Sequence, residues 1–238
     1  MPDPKKLEGR IALITGASRG IGRAVALRYA AEGAQTVLTA RTVGGLEELD
    51  DEIRAGGGLK PLLVPLDLRE FDSIDLLGKS LYERYGRLDV LVGNAGLLGT
   101  LSPVGHIPPD TWEHVFDLNV TANYRLIRSL DPLLRQSEAG RAIFVTSGAA
   151  QMAMAYWAVY AASKAALDML VKSYAAEITK TKVKANLLSP GPIRTGMRAQ
   201  AFPGEDPMTL RAPEEIAGAF VELASADCRR NGEIVSLS

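Results

Sequence analysis

Two hydrophobic rhythms alternate along this chain. Short apolar runs occupy residues 10–14 (RIALI), 35–40 (QTVLTA), 60–66 (KPLLVPL), 88–92 (LDVLV), 141–146 (RAIFVT), 183–188 (VKANLL) and 233–237 (EIVSL). Such lengths suit strands, and a run as continuously apolar as 88–92 suits a strand covered on both faces. Between the runs, apolar residues recur at helical spacing over residues 24–32, 44–55, 72–85, 110–135, 156–179 and 213–224. In the second of these helices the stripe is Leu46, Leu49 and Ile53, stopped by Gly56, Gly57 and Gly58. Pro61 and Pro65 have no amide proton to give a ladder, which assigns residues 60–66 to a sheet edge. Strand and helix alternate throughout, so the pattern predicts an α/β fold with a doubly wound parallel sheet of about seven strands. Neither an internal repeat nor a linker divides residues 1–238, and one domain is expected. Residues 195–210 (TGMRAQAFPGEDPMTL) break the alternation, being too rich in Gly and Pro for regular structure and too long for a plain connector. They follow the C-terminal end of strand six, the edge where such sheets bind ligands. A substrate lid is expected there, with a passive surface loop as the alternative.

Composition changes the picture of function more than of fold. The formal net charge is −1, from 27 basic and 28 acidic residues among 238, so no basic surface points to nucleic acid. Cys228 is the single cysteine, which excludes an intrachain disulfide and a thiolate metal cluster. His106 and His114 have no paired spacing, and surface positions are expected rather than metal ligation. Residues 1–9 (MPDPKKLEG) contain no apolar signal core, and no run approaches a membrane span. The expectation is a soluble, cytoplasmic protein without a membrane partner.

Chemistry concentrates in a few places. Residues 15–22 read TGASRGIG between the first strand and the first helix. Gly16, Gly20 and Gly22 meet three needs: a sharp turn, close approach of a pyrophosphate to the backbone, and close packing of helix on strand. The helix then offers free N–H groups and its positive dipole end to phosphates. Tight turns of this kind also occur where nothing binds; the strand before and the helix after favour a dinucleotide site. Tyr160 and Lys164 lie four apart on a predicted helix and share a face. A tyrosine with a pKa of about 10 is a poor acid–base at neutral pH, and a nearby ammonium favours its phenolate. Ser147, just past strand five, can donate to a substrate carbonyl oxygen that Tyr160 protonates. A core tyrosine beside a solvated lysine is the alternative. Asn119 interrupts the stripe of Trp112, Val115, Phe116, Leu126, Ile127, Leu130 and Leu134. A buried amide needs partners, either a distorted helix carbonyl or a water that relays protons.

In this order and spacing the motifs resemble the short-chain dehydrogenase/reductase family over almost the whole chain. They run through residues 15–22, Asp67 and Leu68, residues 93–96 (GNAG), Asn119 in LNV, Ser147, YAASK from Tyr160 to Lys164, and residues 190–195 (PGPIRT). The resemblance implies a Rossmann fold and an oxidoreductase of class EC 1.1.1.-, passing hydride between a nicotinamide cofactor and a carbonyl or alcohol. It implies Tyr160 as general acid–base, Ser147 as carbonyl polariser, Lys164 as the group that lowers the tyrosine pKa and binds the nicotinamide ribose, and Asn119 as support of the proton relay. Cofactor contacts are implied from Gly16, Ser18, Arg19, Gly20, Ile21 and Gly22 in the turn, and from Asp67 and Leu68 at the adenine. Asn94, Ala95 and Gly96 would follow, with Asn94 bracing the cleft, then Pro190, Gly191, Ile193 and Thr195, the last two at the nicotinamide amide. The runs NAGLLG and TGMRAQAFPGEDP are similar to a bacterial branch of unassigned substrate. Where the family usually has Asn-Asn-Ala-Gly this chain has Gly93-Asn94-Ala95-Gly96, and little effect is expected because the second Asn is kept. Family members often continue past the last strand into a glycine-containing tail at a subunit interface, where this chain has Ser238.

Cofactor, substrate and assembly follow with alternatives left open. NAD-specific members place an acid at the end of strand two; here Ala40 stands there, followed by Arg41, with Arg19 in the glycine turn. Two guanidinium groups suit a 2′-phosphate, so NADP(H) is expected over NAD(H). Leu97, Leu98, Met152, Met154 and Trp157 suggest a small apolar carbonyl or alcohol substrate. A 3-ketoacyl-thioester reductase is the alternative within the enzymes, and a non-catalytic NADP(H)-binding regulatory protein the alternative outside them. Ala161, Ala162, Ala165 and Ala166 give the helix of Tyr160 a small-residue surface, which predicts a homodimer or homotetramer unless these alanines pack on their own sheet.

Overall fold

The apolar runs that show no polar alternation become the middle of one sheet. In the computed structural model, which describes residues 5–237, β1 (Ile11–Thr15), β4 (Val90–Gly93) and β5 (Arg141–Val145) are buried along their whole length. With β2 (Gln35–Ala40), β3 (Leu62–Pro65), β6 (Lys184–Ser189) and β7 (Ile234–Ser236) they form a seven-stranded sheet in the order β3-β2-β1-β4-β5-β6-β7. Every neighbouring pair is parallel. The proline-bearing β3 takes one edge, as its missing amide protons require.

Helices cover both faces. On one side α1 (Gly20–Ala31), α2 (Val43–Ala55) and α8 (Pro213–Ala224) bury Tyr29, Leu46, Leu49 and Phe220. On the other, α3 (Phe71–Tyr85), α5 (Ala122–Gln136) and α6 (Ala158–Glu177) bury Leu81, Leu126, Leu130 and Val171. Each such side chain contributes about 1.5–3 kcal/mol by leaving water. Local chemistry sets the helix ends. Pro213 opens α8, where the Glu215 carboxylate accepts the Ala212 amide at 2.6 Å, and Gly86 closes α3 at φ +68°.

Four expectations need correction. The first helix starts at Gly20, inside the glycine motif, rather than at residue 24, because a helix's first turn needs no apolar stripe. The single helix over 110–135 is α4 (Pro109–Phe116), a π-helical turn (Asp117–Thr121) and α5 in unbroken succession. Hydrophobic spacing cannot register the extra residue of a π turn, which is a frequent mark of functional sites. Trp112, placed in the stripe by spacing, is 39% exposed and stacks on Phe116 at 4.8 Å. Residues 195–210 are not wholly irregular: α7 (Gly196–Ala201) lies within them, its N-terminus capped by Thr195 Oγ1, which accepts the Arg198 amide at 3.2 Å. No described helix is long and apolar enough to cross a membrane. The reading of residues 1–9 falls partly, and that of Ser238 wholly, outside the described residues.

Candidate active site

Strand order reverses between β1 and β4, so the chains leaving their C-terminal ends diverge and open a cleft. Its volume is about 1240 Å³, and it runs from the end of β2 to the start of α6. The glycine turn forms its floor. Gly16 and Gly20 sit at φ +64° and +56°, conformations that a side chain disfavours. Gly22 answers a different need: a Cβ there would run into the Gly16 carbonyl and lie 2.5 Å from Asn94 Nδ2. Arg19 precedes α1 without a side-chain cap, leaving the helix's first N–H groups for a ligand.

Asn94 ties the two strands together under this turn. Its Nδ2 donates to the carbonyls of Thr15 at 2.9 Å and Gly16 at 3.3 Å, while Thr15 Oγ1 accepts the amides of Asn94 and Ala95 at 2.9 and 3.0 Å. The Thr15 hydroxyl is a site residue that sequence reasoning passed over, although it stands first in the TGASRGIG motif. The departure at Gly93 also has a reason: a Cβ there would collide with the Phe144 ring and approach Asn123 Oδ1 at 2.6 Å. Phe144 fills the space.

The end of β2 carries cations. Ala40 lines the cleft, and Arg19 and Arg41 beside it make no side-chain hydrogen bond or ion pair among the described residues. Asp67 lines the cleft with its carboxylate already paired. Its carboxylate accepts Arg69 Nη2 at 2.7 Å and Nε at 3.2 Å, and this pairing holds its carboxyl below the usual range, with Arg41 adding to the effect. Ser18, Ile21, Leu68, Ala95 and Gly96 line the middle of the cleft, and Pro190, Gly191, Ile193 and Thr195 its far wall.

At that far end Ser147, Tyr160 and Lys164 converge. Lys164 Nζ donates to the Val145 carbonyl at 2.8 Å and lies 5.8 Å from the Tyr160 ring centroid. Burial pushes the lysine down to about 8, opposed by the Asp168 carboxylate. Burial also pushes the Tyr160 phenol up, opposed by the Ser147 side chain. The lowered phenol expected from the spacing is therefore not the balance found: Tyr160 is 7% exposed, and the ammonium is aimed at a carbonyl instead. Asn119, fully buried in the π turn, donates through Nδ2 to Leu97 O and Ser163 Oγ, both at 2.9 Å, and accepts the Leu97 amide at 2.8 Å. Its side-chain protons are thus committed to protein, while its backbone carbonyl accepts Asn123 Nδ2 at 2.9 Å.

Aromatic and apolar groups roof this end. Leu98, Ala149 and Tyr160 are buried together, with Trp157, Met197 and Ala201 against them. Trp157 meets Tyr160 edge-on at 6.0 Å and Phe202 at 5.6 Å. Arg198 lies 3.7 Å from the Phe202 centroid and is held by two 2.6 Å bonds to Glu205. Met197 and Phe202 escaped sequence reasoning because no periodicity marks a six-residue helix; Thr195 as a cap residue was the available signal. Met152 and Met154 line the mouth, at 60% and 37% exposure. Along α6, Ala165 is exposed and Ala161, Ala162 and Ala166 are half-buried. His106 and His114 are exposed, and no metal-holding cluster occurs among the described residues.

Comparison with known proteins agrees with this geometry. The short chain dehydrogenase family model matches residues 10–206. The uncharacterized oxidoreductase YciK of Escherichia coli (strain K12) is 38% identical over 231 residues, covering 96% of this chain and 91% of that protein. The 3-oxoacyl-(acyl-carrier-protein) reductase FabG of Vibrio harveyi is 34% identical over 230 residues, covering 93% and 92%. A solved structure from Escherichia coli CFT073, complexed with NADPH, has a TM-score of 0.95 at 36% identity and covers 99% of each chain.

Proposed function

We propose, from the premise that this chain belongs to the short-chain dehydrogenase family and is an oxidoreductase, that it is an NADP(H)-dependent reductase of small apolar carbonyl compounds, or a dehydrogenase of the corresponding secondary alcohols. One observation carries the reading: Ser147, Tyr160 and Lys164 converge at one end of a cleft whose other end presents Arg19 and Arg41, neither paired with a carboxylate among the described residues. The residues fit a dinucleotide. The floor has no room for a Cβ at Gly22, and the α1 amides have no side-chain cap. Gly16, Ser18, Gly20 and Ile21 would hold the pyrophosphate side, Arg19 and Arg41 a 2′-phosphate, Asp67 and Leu68 the adenine, and Asn94 to Gly96 with Pro190 to Thr195 the nicotinamide end.

When bound, the cofactor supplies or takes the hydride. Tyr160 gives its phenolic proton to the carbonyl oxygen, to which Ser147 donates a hydrogen bond. Lys164, held at the Val145 carbonyl, favours the phenolate that remains and binds the nicotinamide ribose. Asn119 fixes Leu97 beside Leu98 and so shapes the pocket wall. Met197, Ala201 and Phe202 close over the reacting end, which supports residues 195–210 as a lid that excludes water. The 34% identity to a 3-oxoacyl-(acyl-carrier-protein) reductase favours a 3-ketoacyl thioester as the second substrate class.

Fluorescence titration at moderate salt should give NADPH at least about tenfold tighter binding than NADH, roughly 1.4 kcal/mol. Arg41→Ala should erode the preference, and Ala40→Asp with Arg41→Ala should move it toward NADH. Equal affinities in the wild-type protein would sink the assignment. On the same complexes, a carbonyl panel that includes a 3-ketoacyl thioester separates the two substrate classes, and amide exchange across residues 195–210 should slow when cofactor and substrate are both present.

The small side chains of Ala162, Ala165 and Ala166, half-buried or exposed on α6, would let a second helix approach closely, and we assign this face to a homotetramer or homodimer. Light scattering at micromolar concentration should report two or four times the 25.5 kDa chain mass, and a monomer there removes the assignment.

A further inference from the structure

Three consecutive residues at the end of β5 each meet one residue of α6. Val145 O accepts Lys164 Nζ at 2.8 Å, Thr146 Oγ1 donates to Asp168 Oδ1, and Ser147 faces Tyr160. On the helix the partners Tyr160, Lys164 and Asp168 are spaced by four, one turn apart on a single face. The first two belong to the proposed chemistry. Asp168, with its side chain buried at 7% exposure, has no part in it so far.

We infer that Asp168 is a positioning residue of this site: through Thr146 it fixes the strand end that carries Ser147, and it supplies the negative charge beside the buried Lys164 ammonium. The inference rests on the proposed function for its catalytic meaning, though not for its geometry. A carboxylate withdrawn from water is costly, and side chains that only join a strand to a helix do not need the charge. The charged groups acting on it are Lys172 and Lys164 on its own helix, and the Thr146 hydroxyl comes from β5. Burial pushes its carboxyl up, and these three groups oppose that. Around Lys164 stand the Val145 carbonyl from β5, the Tyr160 ring from its own helix and Gly96 after β4, none of them anionic. Asp168 is the one carboxylate that opposes the loss of the lysine's proton among the described residues. Extending the Tyr160–Lys164 spacing by one further turn would have found it in the sequence.

The test is carbon NMR of the cofactor-free protein labelled at lysine Cε, with the Lys164 signal identified by its loss in Lys164→Arg. In the wild type Lys164 should titrate at about 8. Asp168→Asn should move that midpoint to lower pH by at least about half a unit, because a removed anion favours the neutral amine. Thr146→Val, which takes the donor from the carboxylate, should move it the same way by less, and Thr146→Ser should restore it. With a substrate in hand, the alkaline limb of kcat/KM for reduction should shift to lower pH in Asp168→Asn. A Lys164 midpoint unchanged in Asp168→Asn overturns the inference, whatever the variant's melting temperature. If Asp168→Asn does not fold, an unchanged midpoint in Thr146→Val overturns it equally. A shifted midpoint in a protein that reduces no carbonyl compound would count against the proposed function and leave the role of Asp168 intact.

Discussion

Tyr160→Phe is expected to lower turnover by a factor of about 10² or more while NADPH affinity stays nearly intact, a barrier change of at least about 2.7 kcal/mol. The substitution removes one hydroxyl and keeps the ring. The edge-on contact with Trp157 at 6.0 Å and the packing against Leu98 and Ala149 persist, so the fold has no reason to change. What disappears is the proton. Burial holds the phenol above its ordinary value, so at neutral pH the hydroxyl arrives protonated, as reduction requires of an acid. Ser147 remains within the site but accepts the Ala149 amide at 3.2 Å and has no neighbouring base to recharge it, which makes it a poor substitute. Steady-state kinetics on a verified carbonyl substrate, with NADPH titration alongside, checks this. A Phe variant with wild-type turnover would remove Tyr160 from the mechanism.

The second large effect is steric. Gly22→Ala is expected to lower NADPH affinity at least about tenfold and to destabilise the fold by about 1–3 kcal/mol, the usual range for overpacking a filled site. The added methyl would overlap the Gly16 carbonyl and stand 2.5 Å from Asn94 Nδ2. Neither neighbour can give way cheaply. One is backbone, and the other already bonds the carbonyls of Thr15 and Gly16. The relief available is for α1 to lift off β1, which moves its free N–H groups away from the pyrophosphate position. Gly44→Ala is the control, since a Cβ there meets nothing within 4 Å at the start of α2. It should leave affinity unchanged and raise stability slightly by reducing the freedom of the unfolded chain. Thermal melts and cofactor titration of the two variants read both effects; wild-type behaviour in Gly22→Ala would show that the close approach of helix and strand is not needed.

Much of the architecture was legible because its causes are local. The bounds of β2 and α8 coincide with the expected 35–40 and 213–224, since an apolar run between breakers and a Pro–Glu–Glu start act within a few residues of themselves. Pro61 and Pro65 announced an edge strand for the same reason. The convergence of Ser147, Tyr160 and Lys164 could be anticipated because four-residue spacing puts two of them on one helix face and the end of β5 presents the third. Less could be read where a partner is distant in sequence. Asn119 in the π turn gives both of its amide protons to Leu97 and Ser163, which lie 22 and 44 residues away. The glycine at position 93 looked neutral until Phe144 was seen to occupy its space.

By itself, then, the sequence determined the order of strands and helices, the glycine turn at a helix start and the four-residue spacing of a tyrosine and a lysine, because backbone sterics and side-chain periodicity operate over a turn or a strand. Only the tertiary structure decided the balance of forces inside the cleft. Burial, which is a property of everything packed around a residue, outweighs the Ser147 side chain at Tyr160 and lowers Lys164 to about 8. It also decided that Phe202, just past the end of a short helix that periodicity does not mark, packs on Trp157, which meets the same tyrosine edge-on.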